Sequence, residues 1–304
     1  MGRFAPSPTG SLHLGSLTAA VASFIDARAR GGRWLVRMED LDAPRVVPGK
    51  ADEILRALEA HGLEWDGAVV YQSRRLSAYQ AAYDRLQKQG LLYPCTCSRR
   101  VLQTEDGPGE PYRGHCRNRS FEEVAGASHS ARLRLSPHAV ASWNDRFQGF
   151  QSFTAAQIGD VILRRRDGIF AYHLAVVVDD AGQGVTSVVR GSDLLSSTPW
   201  QILIQRELGF PEPTYGHTPL LTEPDGAKLA KSRRSAALDP DAAGPQLALA
   251  LRALGQDLPE ELGKAPPRDL LAYALRHWDP GRFRGVVNVP IANSLFPGEG
   301  CTKV

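Results

Sequence analysis

His13, Gly15, two lysines at positions 228 and 231, and three clustered cysteines are the residues of this sequence best suited to bind phosphate or metal. His13 and Gly15 follow the turn-forming run Pro6-Ser7-Pro8-Thr9-Gly10 and open an Ala-rich, apolar-periodic stretch. A histidine at a helix N-terminus sits among free N–H groups that attract phosphate. It can also donate to phosphate oxygens as charge shifts during in-line attack. Gly15 lets a nucleotide base approach the backbone closely. Lys228 and Lys231 stand three apart on a loop-rich segment. That pair can neutralise triphosphate charge as pyrophosphate leaves, although Lys-x-x-Lys alone is commonly a solvated face. Cys95, Cys97 and Cys116 fall within 22 residues, while Cys301 lies far away. Two thiolates one residue apart plus a third make a zinc corner. Spacing leaves the fourth ligand open, with His115 the usual chemical choice.

These groups need elements to place them. The short segment before Pro6 reads as a strand that the prolines end, and His13 to about Arg30 as a helix that Gly31-Gly32 stops. Trp34 to Met38 reads as a buried strand ending at polar Glu39-Asp40. Strand, turn, helix and strand make a βαβ unit. Its ligand edge carries residues 6–15 and 39–40. Helices are expected at about 48–61 and 73–90. Residues 94–150, rich in cysteine, glycine and arginine, read as an inserted small module. Strands follow at Val161–Leu163, Tyr172–Val178 and Thr186–Val189, and a helix near Thr198–Leu208. Residues 214–235 read as loop-rich, 245–278 as helical, and the last 22 or so as a loosely ordered tail. The fold class is therefore α/β: a Rossmann-like parallel sheet split between 1–93 and 151–213, with a zinc-containing insertion at 94–150. The lysine loop, helical region and tail occupy 214–304.

Composition bounds the function. The chain has 304 residues, 42% hydrophobic and 23% charged, with a net charge of +3. That permits nucleic-acid binding without arguing for it. Arginine-rich clusters at 99–100, 113–119 and 164–166, and a mixed Lys/Arg cluster at 228–234, add local basicity, though one such cluster alone is commonly solvated surface. Four cysteines in a chain without a signal peptide or an 18-residue apolar run suggest the cytoplasm, no membrane, and metal or redox chemistry over a disulfide framework. A monomer is the default expectation.

The string Phe4-Ala5-Pro6-Ser7-Pro8-Thr9-Gly10-Ser11-Leu12-His13-Leu14-Gly15 resembles the first ATP-binding motif of class I aminoacyl-tRNA synthetases, in its glutamyl and glutaminyl form. Ser16 stands where the general motif has a second histidine. Lys228-Leu229-Ala230-Lys231-Ser232 resembles the mobile lysine loop of the same class, with Ala230 in place of a serine. Arg37-Met38-Glu39-Asp40-Leu41-Asp42 and Val189-Arg190-Gly191-Ser192-Asp193 resemble elements of the glutamyl branch. The resemblance spans residues 3–232. It implies that His13, Gly15, Ser16, Lys228 and Lys231 bind ATP with Mg²⁺, with His13 and Lys231 catalytic. It implies that Glu39 holds the glutamate ammonium, and that Arg3, Phe4, Ala5, Pro6, Ser7, Tyr172 and Arg190 complete the glutamate site. Two arginines and one carboxylate suit an acidic amino acid better than a neutral one. Taken singly, Tyr172 could equally be core packing and Arg190 a structural ion pair.

The stretch Cys95-x-Cys97 to Tyr112-x-x-x-Cys116 resembles the zinc pattern of the short glutamyl-queuosine branch, which implies Tyr112 as the fourth ligand of one structural Zn²⁺. Only 72 residues follow Ser232, which leaves no room for the anticodon-binding domain of full-length glutamyl-type enzymes. That branch implies glutamate activation without tRNA, then transfer to queuosine in the anticodon stem-loop of tRNA(Asp). The cysteine module and nearby arginines would be the RNA contact. Rival expectations are a minimal glutamyl-tRNA synthetase charging another acceptor, a non-catalytic tRNA-binding paralogue, and a nucleotidyltransferase of the wider superfamily.

Overall fold

A computed structural model describes residues 1–107, 109–222 and 237–291, with Arg99 described by its backbone alone. Lys228, Lys231 and Cys301 lie outside the described residues.

β1 (Gly2–Phe4) and β2 (Trp34–Met38) are parallel, with Arg3 opposite Leu35. They are joined by α1 (Leu14–Arg28), which buries Leu17, Val21 and Ile25 completely. After α2 (Lys50–Ala60), β3 (Val70–Tyr71) extends the sheet in parallel beyond β2. α3 (Leu76–Lys88) leads into β4 (Leu92–Cys95) and α4 (Arg99–Glu105). β5 (Ser130–Leu133) pairs antiparallel with β4, and β6 (Val140–Asp145) forms a hairpin with β7 (Gly149–Thr154). The short α5 (Ala155–Ile158) precedes β8 (Ile162–Arg164), the other antiparallel neighbour of β5.

α6 (Tyr172–Gly182) follows, where a strand over Tyr172–Val178 was expected. The three consecutive valines suit a strand, but Leu174 through Asp180 are all buried. An apolar run buried on every side has no period to distinguish the two structures.

β9 (Ser187–Gly191), α7 (Thr198–Glu207) and β10 (Thr214–Thr218) complete the second half, with β9 and β10 parallel. The N–H groups of Thr186 and Ser187 donate to the Met1 carbonyl, both at 3.0 Å, and seat β9 beside β1. The side-by-side order is thus β3-β2-β1-β9-β10, a Rossmann-like sheet whose chain order reverses between β1 and β9. Ligands bind at such a reversal, outside the carboxyl ends of the strands.

Two segments expected to be irregular carry strands among their described residues. Residues 214–222 hold β10 and β11 (Leu220–Thr222), buried parallel strands too short to show alternation. After the helices α8 (Ala243–Ala253) and α9 (Pro267–His277), the segment expected as a loose tail contributes β12 (Asn288–Pro290), parallel to β11. One buried apolar cluster joins α1, β2, α8 and α9. A second lies among α3, β5, α6 and α7. No described helix is long and apolar enough to cross a membrane.

Candidate active site

His13 caps α1. Its backbone is extended, with φ −125° and ψ 174°. Its Nδ1 accepts from the Ser16 N–H at 3.3 Å, while Ser16 Oγ accepts from the His13 N–H at 2.8 Å. This is a reciprocal capping box. Ser16 therefore partners His13 through the backbone, although it cannot supply the second imidazole of the general motif. With Nδ1 accepting, the ring proton sits on Nε2. Burial keeps the imidazole's pKa below its ordinary value, so near neutrality it is a neutral donor through Nε2. Gly15 has a local reason of its own, since a Cβ there would lie 3.1 Å from the His13 ring.

The loop after β1 reaches the end of β2, where the Glu39 N–H donates to the Pro6 carbonyl at 2.9 Å. Glu39 is bound by Arg37 Nη2 at 3.4 Å. Burial pushes the Glu39 carboxyl above its usual range, against the pull of the Arg37 and Arg3 charges. Arg37 is fully buried and donates to Asp180 at 2.7 Å and to Gln183 at 2.8 Å, with Asp179 at 3.7 Å. Arg3, on β1, pairs with Asp180 at 3.4 Å and donates to the Val189 carbonyl at 3.4 Å. Arg190, on β9, donates to the Tyr172 hydroxyl at 3.3 Å.

One cleft of about 1230 Å³ collects these groups. Every described residue expected for ATP or glutamate lines it: Arg3 through Ser7, His13, Gly15, Ser16, Glu39, Tyr172 and Arg190. The geometry offers a helix N-terminus and a neutral histidine donor for phosphate, and a carboxylate between guanidinium groups for a zwitterion.

Sequence reasoning missed the Arg37–Asp179–Asp180 core beneath the site. The adjacent aspartates ending a valine run were the only local signal. It also missed His173 and Trp200 in the cleft, whose rings meet edge-on at 5.1 Å.

The cysteines form a separate centre. The sulfurs of Cys95, Cys97 and Cys116 lie within 4.8 Å of one another. The Tyr112 hydroxyl stands 3.6 Å from Cys95 Sγ and accepts from the Cys116 N–H at 2.8 Å. His115 is engaged elsewhere, with Nε2 2.6 Å from Asp106 and Nδ1 3.3 Å from Glu105. Partial burial, with Cys116 and Cys95 close by, pushes Cys97 up to about 12. Cys116 is brought down to about 7, because hydrogen bonds from the Thr96 backbone, Cys97 and Tyr112 outweigh burial. A cation would remove the mutual repulsion of three ionised thiolates. Gly159, at φ +67°, lets the Tyr112 backbone pass closely. A Cβ there would lie 2.7 Å from the Tyr112 carbonyl.

The family described as "tRNA synthetases class I (E and Q), catalytic domain" matches residues 1–243. The chain belongs to that family. Among proteins similar to this class I synthetase is the glutamyl-Q tRNA(Asp) synthetase of Ectopseudomonas mendocina. It is 54% identical over 285 residues, which cover 93% of this chain and 94% of that protein. The protein of the same name in Pseudomonas aeruginosa is 50% identical over 292 residues, covering 95% and 97%. Two solved structures share the fold. The glutamate tRNA ligase of Elizabethkingia meningosepticum has a TM-score of 0.80 at 22% identity, covering 96% of this chain and 67% of that one. The glutamate-tRNA synthetase of Elizabethkingia anophelis has 0.80 at 23%, covering 96% and 68%.

Proposed function

We propose that this class I synthetase activates glutamate with ATP and transfers it to the queuosine base at the wobble position of tRNA(Asp). Its near-full-length likeness to glutamyl-Q tRNA(Asp) synthetases, at 50–54% identity, carries this reading. The cleft supports it with a site matched to an acidic amino acid.

In the first step the glutamate α-carboxylate attacks the α-phosphate of Mg²⁺-bound ATP, giving glutamyl-adenylate and releasing pyrophosphate. Glu39 holds the substrate ammonium. Arg3 and Arg190, with Tyr172, hold carboxylate, and Phe4 to Ser7 line the amino-acid site. His13 donates from Nε2 to phosphate at the start of α1, beside Gly15 and Ser16. Lys228 and Lys231 draw off the pyrophosphate charge. In the second step a hydroxyl of the queuosine cyclopentene ring attacks the activated carbonyl and AMP leaves.

Cys95, Cys97, Cys116 and Tyr112 would hold one zinc ion, which would cross-link the 94–150 module and take no part in bond making. The module, with exposed Arg100 and Arg113, would meet the anticodon stem-loop. The split catalytic halves (1–93 and 151–213) and the C-terminal region (214–304) complete the proposed organisation.

Glutamate-dependent ATP–pyrophosphate exchange tests the first step. It should run without tRNA and respond to glutamate over glutamine. Exchange that requires tRNA, or that runs equally with glutamine, would contradict the reading.

A further inference from the structure

Arg190 is gripped from behind. Its Nε donates to His217 Nε2 at 3.1 Å, and its Nη2 to Thr198 Oγ1 at 2.9 Å and the Leu194 carbonyl at 3.3 Å. Nη1, on the Tyr172 side, has a second N–H with no acceptor among the described residues. Two of the three nitrogens thus anchor the group, and the third serves the cleft.

His217, on β10, is fully buried. Its Nδ1 lies 2.5 Å from Asp145 Oδ2, and its backbone N–H donates to Asp145 Oδ1 at 3.0 Å. The same Asp145 oxygen accepts the N–H groups of Phe147 at 3.1 Å and Gln148 at 3.0 Å. Burial raises the Asp145 carboxyl, but the hydrogen bonds and charge of His217 and these backbone donors carry it far below the usual range. Asp145 is therefore ionised and demands a proton on Nδ1. Arg190 can only donate and demands a lone pair on Nε2. Together they select one neutral tautomer. Burial and the Arg190 charge hold His217 in it against the pull of Asp145.

We propose that Asp145 and His217 are positioning residues for glutamate recognition, presenting a fixed neutral acceptor to Arg190 Nε and so setting the plane of its guanidinium against the substrate carboxylate. The proposal rests on the reading above that Arg190 binds glutamate. A planar donor fork rewards alignment, and an unheld fork spends its hydrogen bonds in wrong orientations. Neither residue touches substrate. Their effect should be confined to the ligand that Arg190 holds.

Two replacements of one residue separate this role from simple packing. His217→Asn keeps an amide N–H for Asp145 and leaves Arg190 Nε without an acceptor. His217→Gln places its carbonyl oxygen near the position of Nε2. In pyrophosphate exchange with the full chain, His217→Asn should raise the glutamate KM about tenfold or more. The ATP KM should stay close to wild type, and His217→Gln should recover most of the glutamate affinity. An unchanged glutamate KM in His217→Asn, or equal rises for ATP and glutamate, would overturn the proposal. Nitrogen-15 spectra of the wild-type histidines provide a check that survives misfolding of a variant. The His217 ring should carry its proton on Nδ1, and an Nε2–H or doubly protonated ring would overturn the idea. Arg190→Lys distinguishes the two levels of the argument. If it leaves the glutamate KM unchanged, the Arg190 assignment fails and this role with it. If it raises that KM while His217→Asn does not, only the positioning role fails.

Discussion

At the scale of single residues, the cleft combines a carboxylate raised by burial with one guanidinium already paired, Arg3 with Asp180, and one without a charged partner among the described residues, Arg190. Glu39 sits where an ammonium would relieve its desolvation, so neutralising it should remove both attraction and fit. Glu39→Gln is expected to lower kcat/KM for glutamate in exchange by about a hundredfold, the cost of one charge-assisted contact in a buried site. Unaltered glutamate dependence would remove Glu39 from the site. His173 makes a different kind of prediction. Burial, aided by the Arg190 charge, lowers its pKa from 6.5 to about 4. Between those values the unfolded chain binds a proton that the folded chain refuses, so acidification through this window favours unfolding. The added slope is at most about 1.4 kcal/mol per pH unit. Urea unfolding should show wild-type stability falling more steeply than His173→Gln from pH 6.5 towards pH 4. Parallel curves would contradict it.

At the scale of elements, α1 shows what a sequence can and cannot announce. The turn, the histidine cap and Ser16 three residues later are all local, so the N-terminus of α1 was legible from order alone. Removing the Ser16 hydroxyl should cost about 1 kcal/mol of stability. It should also lower exchange, because the same box holds the His13 backbone. Ser16→Ala with unchanged melting and unchanged kcat would argue against that coupling. The edge carrying residues 6–15 and Glu39 was legible too, because a parallel sheet brings its carboxyl ends together, whereas Arg3 and Arg190 entered only through the family resemblance. The Arg37–Asp180 pair was not, since its partners lie 143 residues apart and nothing local marks them. α6 was misread because its valines are buried all round, and β12 because three residues cannot establish a period.

At the scale of the whole molecule, the cysteine centre and the cleft are physically joined. The Arg132 guanidinium lies 3.8 Å over the Tyr112 ring and donates to the Asp160 carbonyl at 2.6 Å. Arg132 and Asp160 both line the cleft. Asp160 also takes hydrogen bonds from Tyr93 at 2.6 Å and from Arg117 at 2.7 Å. The proposed zinc sits within the 94–150 module and reaches the cleft only through this relay, so stripping it with a chelator should disturb the module, the proposed RNA contact, first. Transfer to tRNA should fall more than pyrophosphate exchange, and zinc should restore it. Equal loss of both, or no loss, would remove the module from the acceptor step. The Arg164–Arg166 run, by contrast, is held by partners within the protein although Arg165 and Arg166 remain exposed. Arg164 stacks over Tyr83 and Phe170, Arg165 pairs with Asp42 and Asp167, and Arg166 donates to the Cys97 carbonyl.

Glutamate activated in this cleft should go to a modified base and not to a 3′ end. Radiolabelled glutamate offered with ATP to tRNA(Asp), with and without queuosine, measures this directly. Label should appear only on the queuosine-containing tRNA, in a linkage that survives removal of the 3′-terminal ribose. Label on the 3′ end of tRNA(Glu), or on tRNA(Asp) lacking queuosine, would contradict it.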